Sequence, residues 1–564
     1  MCSVSGIFNY LYGNKISEDQ LLKFNQILKH RGPDGSGIWV SKDKKIGLAH
    51  NRLSIIELSK QSNQPMFIDD NLIIIFNGEI YNFIELRNNL IKKGYKFKTK
   101  SDTEVVARMF LHYGHEYVKF LRGMYAIAIW DRKKNNLILS RDTFGIKPLY
   151  YKDKDGVLIF SSEIKLFSEI NKSEKKDIST DEDFLYHGYI LGPKTIYENV
   201  KEVEPGSSIL ISYNKNLKII NNDGVDKYFS EIDESLFYKK NNNINDYEEM
   251  YDAIQESVIL HTRSDVEIAS FLSQGYDSNL IRKILINNKI NSKFINLSFD
   301  DNDLKNNEKI KNQENLINYN FNREDLISMN TEIHRYMDQP TIDGFNTFYA
   351  SSCVKKEGIK VVLSGVGADE IFSGYTTINK INLISFFYKN LRILNKIDFL
   401  QNFKTYKLFT ETDDFEQKYI LSRSINSKKN IFKYLKKKIN IKNKFVKKPD
   451  NYDNWSEKFK LKYLEITYYM KNQLLRDSDW ASMANGIELR TPFVDKFLLK
   501  KLLKIPLFYR QNKKEIFQRY LNNEKYIIKK NKTGFNYPRY SSINPYKKIN
   551  YSKHSFQILE SFKK

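Results

Sequence analysis

Along about the first 170 positions the apolar residues fall in short, dense runs of strand length. NLIIIFNGEIYNF (71–83) and GMYAIAIWD (123–131) are rich in β-branched and aromatic residues. In the second run Met124, Ala126, Ala128 and Trp130 alternate with Tyr125, Ile127 and Ile129. Both sets are apolar, which predicts a strand buried on two faces. LILS (137–140) and VLIFSS (157–162) continue the pattern. Between the strands, Leu21, Leu22, Ile27 and Leu28 recur at helical spacing behind a Ser17/Gln20 capping box. A second helix is predicted from Phe83 to Lys93, ending at Gly94. Strands in two layers with helices outside them predict a layered α/β domain.

After about residue 245 the rhythm changes. Tyr247, Met250, Ile254 and Val258 mark an amphipathic helix. Short apolar runs then alternate with helical stretches: EIASFL (267–272), KFINLSF (293–299) and IKVVLSG (359–365). This alternation predicts a doubly wound parallel α/β sheet. The stretch between the two patterns ends in Asn-rich KKNNNIND and reads as a connection. Residues from about 380 to 460 are rich in Lys and aromatics and give no clear element, and the chain shows no internal repeat.

Composition narrows the class. The chain has 564 residues, enough for several domain-sized units. Two cysteines rule out a disulfide scaffold and suit a reducing compartment. Purely apolar runs such as Leu72 to Phe76 are far short of a membrane span, and no basic flank precedes an apolar stretch at the start, so no signal peptide is visible. A cytoplasmic location is therefore expected. The net charge of +23 raises the question of nucleic acid, but the excess is scattered, with one local cluster at 433–448. Without a basic stripe or an RNA module, nucleic acid is not an expected partner.

The candidate chemistry starts at Cys2. Removal of Met1 would make Cys2 the N-terminal residue, and its own α-amine could then serve as general base for the thiol. Behind it, in order, stand RGPDGSG (31–37), LAHNRLSII (48–56), FNGEIYN (76–82), SDTE (101–104), RDTFGIKPLYY (141–151) and SSEIK (161–165). Together these resemble the glutaminase domain of class II glutamine amidotransferases. The resemblance implies an N-terminal αββα sandwich in which Cys2 attacks the glutamine amide. It implies that Asn77 and Gly78 form the oxyanion hole, and that Arg52, Ile55, Asn77, Glu79 and Asp102 hold the glutamine. Read alone, Asn77–Gly78 is equally a hairpin turn, and Ser101 with Glu104 equally a helix cap that makes Asp102 a first-turn acid.

In the second half, SFLSQGYDSNLI (270–281) puts small and acidic residues between a predicted strand and a helix, a place suited to phosphate. It resembles the pyrophosphate loop of ATP-pyrophosphatases. VVLSGVGADEIFSGY (361–375), DSDWASMANGIELRTPFVD (477–495) and KNKTGF (530–535) are similar, in order and spacing, to asparagine synthetase segments. The resemblance implies ATP and pyrophosphate binding by Leu272, Ser273, Gly275, Asp277, Ser278, Ser298, Ser364 and Gly365. It further implies Mg²⁺ on Asp277 and Asp369, and a catalytic Lys532. Two departures stand out: Gln274 replaces a glycine of the pyrophosphate loop, and Val366 replaces the usual Glu. MDQPTIDGFNT (337–347) is closer to members associated with surface polysaccharide loci. Cys353 reads as a buried free cysteine.

The expectation is a glutaminase over residues 2–200, a connection over 201–245 and an ATP-pyrophosphatase-type synthetase over 246–564. The implied reaction is ATP-dependent conversion of a carboxylate, aspartate in the first instance and a uronic acid sugar in the second, to its amide through an acyl-adenylate. The partners expected are the small-molecule substrates, with no membrane insertion; a homodimer is compatible with this reading. RNA modification and a non-catalytic scaffold are the weaker alternatives.

Overall fold

The computed structural model describes residues 2–11, 15–215, 217–221, 223–234, 237, 244–299, 315–375, 377, 379, 381–382, 414–436, 448–521 and 550–563. The first half contributes twelve described strands. They are β1 (Ser3–Asn9), β2 (Gly35–Val40), β3 (Ile46–Arg52), β4 (Met66–Ile68), β5 (Leu72–Ile80) and β6 (Gly123–Asp131). β7 (Asn136–Arg141), β8 (Tyr150–Lys154), β9 (Val157–Ser161), β10 (Val200–Glu202), β11 (Ser207–Ser212) and β12 (Lys218–Asn221) follow. They form two six-stranded sheets, ordered β10-β8-β9-β1-β3-β2 and β12-β11-β7-β6-β5-β4.

The predicted double burial of β6 is observed, and the two faces have different partners. Ala126, Ala128 and Trp130 pack between the sheets with Val4, Phe8, Ile73 and Ile75. Tyr125, Ile127 and Ile129 face the helices Phe83–Lys92 and Asp102–Tyr113, through Leu86, Leu90, Val105 and Val106. On the outer face of the first sheet, the helix Glu18–Ile27 sets Leu21 and Phe24 against Ile7 and Ala49. Its capping box is formed, with Gln20 N donating to Ser17 Oγ at 3.3 Å and Ser17 N donating to Gln20 Oε1 at 3.0 Å. The result is an αββα sandwich. The stretch expected as a connection carries β11 and β12, which pair into the second sheet, with Ile209 and Ile211 buried between the layers. Their short apolar alternation is flanked by Lys- and Asn-rich turns that mask it in the sequence.

The second half has a five-stranded sheet made of β13 (Ile268–Phe271), β14 (Lys293–Ser298), β15 (Leu316–Asn320), β16 (Val361–Leu363) and β17 (Glu488–Arg490). Every neighbour pair is parallel, and the order is β15-β14-β13-β16-β17. The chain runs outward from β13 in one direction and from β16 in the other. The crevice between these two strands is the topological switch point where ligands of such sheets bind.

The two units share a buried, charged interface. Arg31, fully buried, pairs with Asp479 at 2.8 Å and with Glu163 at 3.1 Å. Lys147 reaches the other oxygen of Asp479 at 3.2 Å. Nearby, Arg122 bridges Asp495 and Glu256, both at 2.7 Å. A buried ion pair contributes little net energy relative to an apolar pair, but losing one partner strands the other charge. Asp479→Ala leaves Arg31 and Lys147 without this shared counter-charge, and an expected loss of about 3–5 kcal/mol is measurable by urea unfolding. A loss well under 1 kcal/mol, typical of solvated pairs, would contradict this account of the interface.

Candidate active site

The first site lies where β1, β3 and β5 converge. Cys2 is 8% exposed, and its backbone N lies 3.1 Å from Asn77 Oδ1. Burial pushes the Cys2 thiol above its ordinary value, so a nearby base is needed to form thiolate. Asn77 Nδ2 is buried and has no hydrogen-bond partner among the described residues, a donor available to an oxyanion. Asn77 and Gly78 pair with Ala126 and Tyr125 inside the β5–β6 ladder, which excludes the hairpin turn. Gly78 is required there: a Cβ would lie 2.0 Å from the Met124 carbonyl oxygen.

Cys2, Arg52, Ile55, Gly78, Glu79 and Asp102 line one cavity of about 30 Å³. Arg52 is oriented by the loop that follows it, donating to the Ser59 carbonyl at 2.8 Å and to Asn63 Oδ1 at 2.9 Å. The Ile55 carbonyl accepts from Asp265 N of the second unit at 3.0 Å. Asp102 opens the helix Asp102–Tyr113, and its Oδ2 accepts from Ile80 N at 3.1 Å. Ser101 caps the same helix through Glu104 N, so the cap and the cavity acid coexist. Burial pushes the Asp102 carboxyl up to about 6, and burial beside Asp102 raises Glu79 well above the carboxylate range. The cavity thus brings together the Cys2 thiol, a guanidinium and acids, with the Asn77 amide donor next to Gly78 of its lining: groups suited to holding an amino acid and cleaving an amide.

The second site lies at the switch point. Leu272 directly follows β13, and the loop after it is tied by Gly275 N donating to Ser273 Oγ at 3.1 Å and by Ser273 N donating to Ser278 Oγ at 3.0 Å. Asn279 Nδ2 donates to the Ser273 and Gly275 carbonyls, both at 2.8 Å. Gly275 caps the helix Tyr276–Asn287, which leaves that helix's N-terminal amides facing the crevice. Ser298 is buried at the end of β14. From β16, Ser364 N donates to the Arg490 carbonyl at 2.9 Å, and Gly365 faces Asp277, where a Cβ would come within 2.8 Å of the Asp277 Cβ. Asp277 and Asp369 converge on Lys513 Nζ, which lies 2.7 Å from Asp277 Oδ1 and also pairs with Asp369. Two hard oxygen donors gathered around one cation fit Mg²⁺. Lys532 lies outside the described residues. Lys513 was not singled out in the sequence: its partners lie 236 and 144 positions away, and no local pattern marks it.

Beside the second loop is a larger cavity, about 160 Å³, lined by His187, Tyr189, Asp343, Arg423, Tyr469 and Gln473 among others. Arg423 lies over the rings of Tyr469 and Tyr375, at 3.9 and 4.4 Å, and pairs with Glu465. Tyr375 donates its hydroxyl to Glu370, the residue after Asp369. Burial lowers His187 to about 3, so its imidazole is neutral. Gln274 and Val366 are both half-buried at the crevice.

An αββα sandwich with a buried cysteine at the start of its first strand, joined to a doubly wound parallel sheet, defines a two-unit class of α/β protein. Comparison with known proteins agrees: a glutamine amidotransferase domain model matches residues 1–228, and an asparagine synthase model matches residues 249–554. The chain is 30% identical to Asparagine synthetase [glutamine-hydrolyzing] 1 of Bacillus subtilis, over 90% of this chain and 81% of that one. It is 33% identical to Putative asparagine synthetase [glutamine-hydrolyzing] 2 of Methanocaldococcus jannaschii, over 67% of this chain and 76% of the relative. The chain belongs to the asparagine synthetase (glutamine-hydrolysing) family, and is an enzyme of the glutamine-hydrolysing amidotransferase and ligase type, consistent with use of ATP. Among the described residues no helix is long and apolar enough to cross a membrane.

Gly365→Ala tests the crevice. Its Cβ forces the two loops apart, and ATP affinity is expected to fall roughly tenfold or more, as for other sub-ångström misplacements at a site, with the melting temperature little changed. Unaltered ATP binding in calorimetry would mean that the two loops do not share one ligand.

Proposed function

We propose that Cys2, freed of Met1, attacks the side-chain amide of glutamine. Its thiol proton passes to its own α-amine, Asn77 Nδ2 and Gly78 stabilise the oxyanion, and ammonia leaves a glutamyl thioester that water hydrolyses. Arg52 holds the α-carboxylate, with Ile55 beside it, and Glu79 and Asp102 hold the α-ammonium. The single observation that carries this reading is the cavity that joins Cys2 to Arg52, Gly78 and the two acids, with the unpartnered Asn77 Nδ2 next to Gly78 and the Asn77 Oδ1 accepting from Cys2 N.

At the crevice, Leu272, Ser273, Gly275, Ser278, Ser298, Ser364 and Gly365 receive ATP. The acceptor carboxylate attacks the α-phosphorus, pyrophosphate leaves, and ammonia displaces AMP from the acyl-adenylate. Asp277 and Asp369 would hold Mg²⁺, which when bound neutralises charge on the pyrophosphate; Lys513 keeps these carboxylates together, and Lys532 is assigned to the adenylation step. The core that holds Leu53, Ile55, Met124, Phe144 and Ile146 continues into the second unit, which supports an apolar route for neutral ammonia. A reducing, cytoplasmic setting suits the free thiol.

Aspartate is the acceptor that family membership suggests. A sugar acid is the second reading, favoured by the larger cavity. Its tyrosine faces suit a pyranose ring, Gln473, Asp343 and neutral His187 suit hydroxyls, and Val366 supplies no carboxylate for an amino acid's ammonium. The test is a mass-spectrometric product assay with ATP, glutamine and a panel of carboxylates. Amide, AMP and pyrophosphate in equal amounts are expected. Asparagine formed rapidly would remove the sugar reading, and a uronamide alone would remove aspartate. Cys2→Ala is expected to lose glutamine-dependent product and to keep ammonium-dependent product; full glutamine use by this variant would overturn the role of Cys2.

A further inference from the structure

The strand β17 belongs to the second unit, yet its side chains end at the first unit's cavity. Glu488 lines that cavity together with Cys2 and Asp102. Arg490 is fully buried, and every arm of its guanidinium is engaged. Nε donates to Glu488 Oε1 at 2.7 Å, Nη1 to the carbonyls of His261 and Arg263 at 2.8 and 2.6 Å, and Nη2 to Glu79 Oε2 at 3.1 Å. The second oxygen of Glu79, Oε1, is buried and has no hydrogen-bond partner among the described residues.

Three carboxyl groups, from Glu79, Asp102 and Glu488, therefore face one small cavity. Arg490 offsets part of this charge from behind, through Glu79 and Glu488. Arg52, the other cation at the cavity, is anchored by the carbonyls of its own loop and is the partner assigned to the α-carboxylate. A buried wall of three acids with an unused carboxyl oxygen suits a cationic ligand group, whose charge would also favour the ionised forms that burial opposes. Of the groups on glutamine, only the α-ammonium meets that need.

We propose that β17 completes the glutamine site: Glu488 binds the α-ammonium directly, and Arg490 is a positioning residue that holds Glu79 with its free oxygen toward the same group. This inference rests on the glutaminase reading of the cavity, and it makes amino-acid capture in the first unit depend on two side chains of the second. Without Arg490, Glu79 would lose the counter-charge that opposes the effect of burial, and would keep its proton or turn away.

The experiment compares hydrolysis of L-glutamine with that of its desamino analogue, 5-amino-5-oxopentanoate, by the full-length chain without ATP or acceptor. The analogue keeps the amide and the carboxylate and lacks only the ammonium. In Arg490→Gln and Glu488→Gln, KM for glutamine is expected to rise roughly 10- to 100-fold, the range for a lost charged hydrogen bond, with kcat little changed. Use of the analogue is expected to stay at the wild-type level, because its binding never involved these groups. Equal losses on both substrates would assign the residues a merely structural role, and an unchanged KM for glutamine would exclude them from recognition. Glu488→Gln preserves shape and the hydrogen bond from Arg490, so it decides the matter alone if Arg490→Gln does not fold. Wild-type chain that hydrolyses no glutamine would overturn the glutaminase reading itself, an outcome distinct from either failure.

Discussion

Buried charge that must be matched across the two units is the constraint on which the rest of this structure depends. Arg31 is fully enclosed, donates to the Cys2 carbonyl at 3.3 Å, and has Glu163 on one side and Asp479 on the other. One ion cluster therefore fixes the backbone of the candidate nucleophile and ties it to a helix of the second unit. Arg490 does the same for Glu79 from β17. Apolar surfaces tolerate sliding, whereas a misplaced buried ion is costly, so these clusters define a single docking geometry. On the proposed function, ammonia made in one unit is used in the other, and a fixed separation and a dry boundary would serve that transfer.

The parallel sheet extends that constraint to the nucleotide crevice. β16 runs directly into the loop of Ser364 and Gly365, and it pairs with β17, whose Arg490 carbonyl accepts from Ser364 N. The strand that meets the Cys2 cavity with its side chains thus meets the loop of Ser364 and Gly365 with its backbone. The opposite wall of the crevice comes from β13 and the helix behind Gly275. Gly365 is what permits the close approach, since any side chain there would meet Asp277.

Most of the architecture was legible because it follows local rules. The double apolar alternation of β6, the Ser17 capping box and the strand–loop–helix around Ser273 each need only a few adjacent residues to be seen. The cavity residues around Cys2 were legible by resemblance, and the structure brings Cys2, Arg52, Ile55, Gly78, Glu79 and Asp102 together. What escaped notice acts at a distance. Glu488 and Arg490 sit in a three-residue strand with no periodicity of its own, and Arg490 meets Glu79 across 411 positions. Lys513 and Asp479 likewise have meaning only through partners far along the chain. The charge of +23 proved a poor guide: the cations that matter most are buried and paired, while the scattered surface lysines account for the sum.

The central claim is that an N-terminal cysteine does covalent chemistry on glutamine inside the cavity that Cys2 lines. Its most direct test is acid quenching during steady glutamine turnover, followed by mass analysis of the N-terminal peptide. The account expects a peptide that starts at Cys2, lacks Met1, and carries a glutamyl group on the Cys2 sulfur. An actively hydrolysing chain that retains Met1, or one whose glutamyl group sits on another residue, would contradict it.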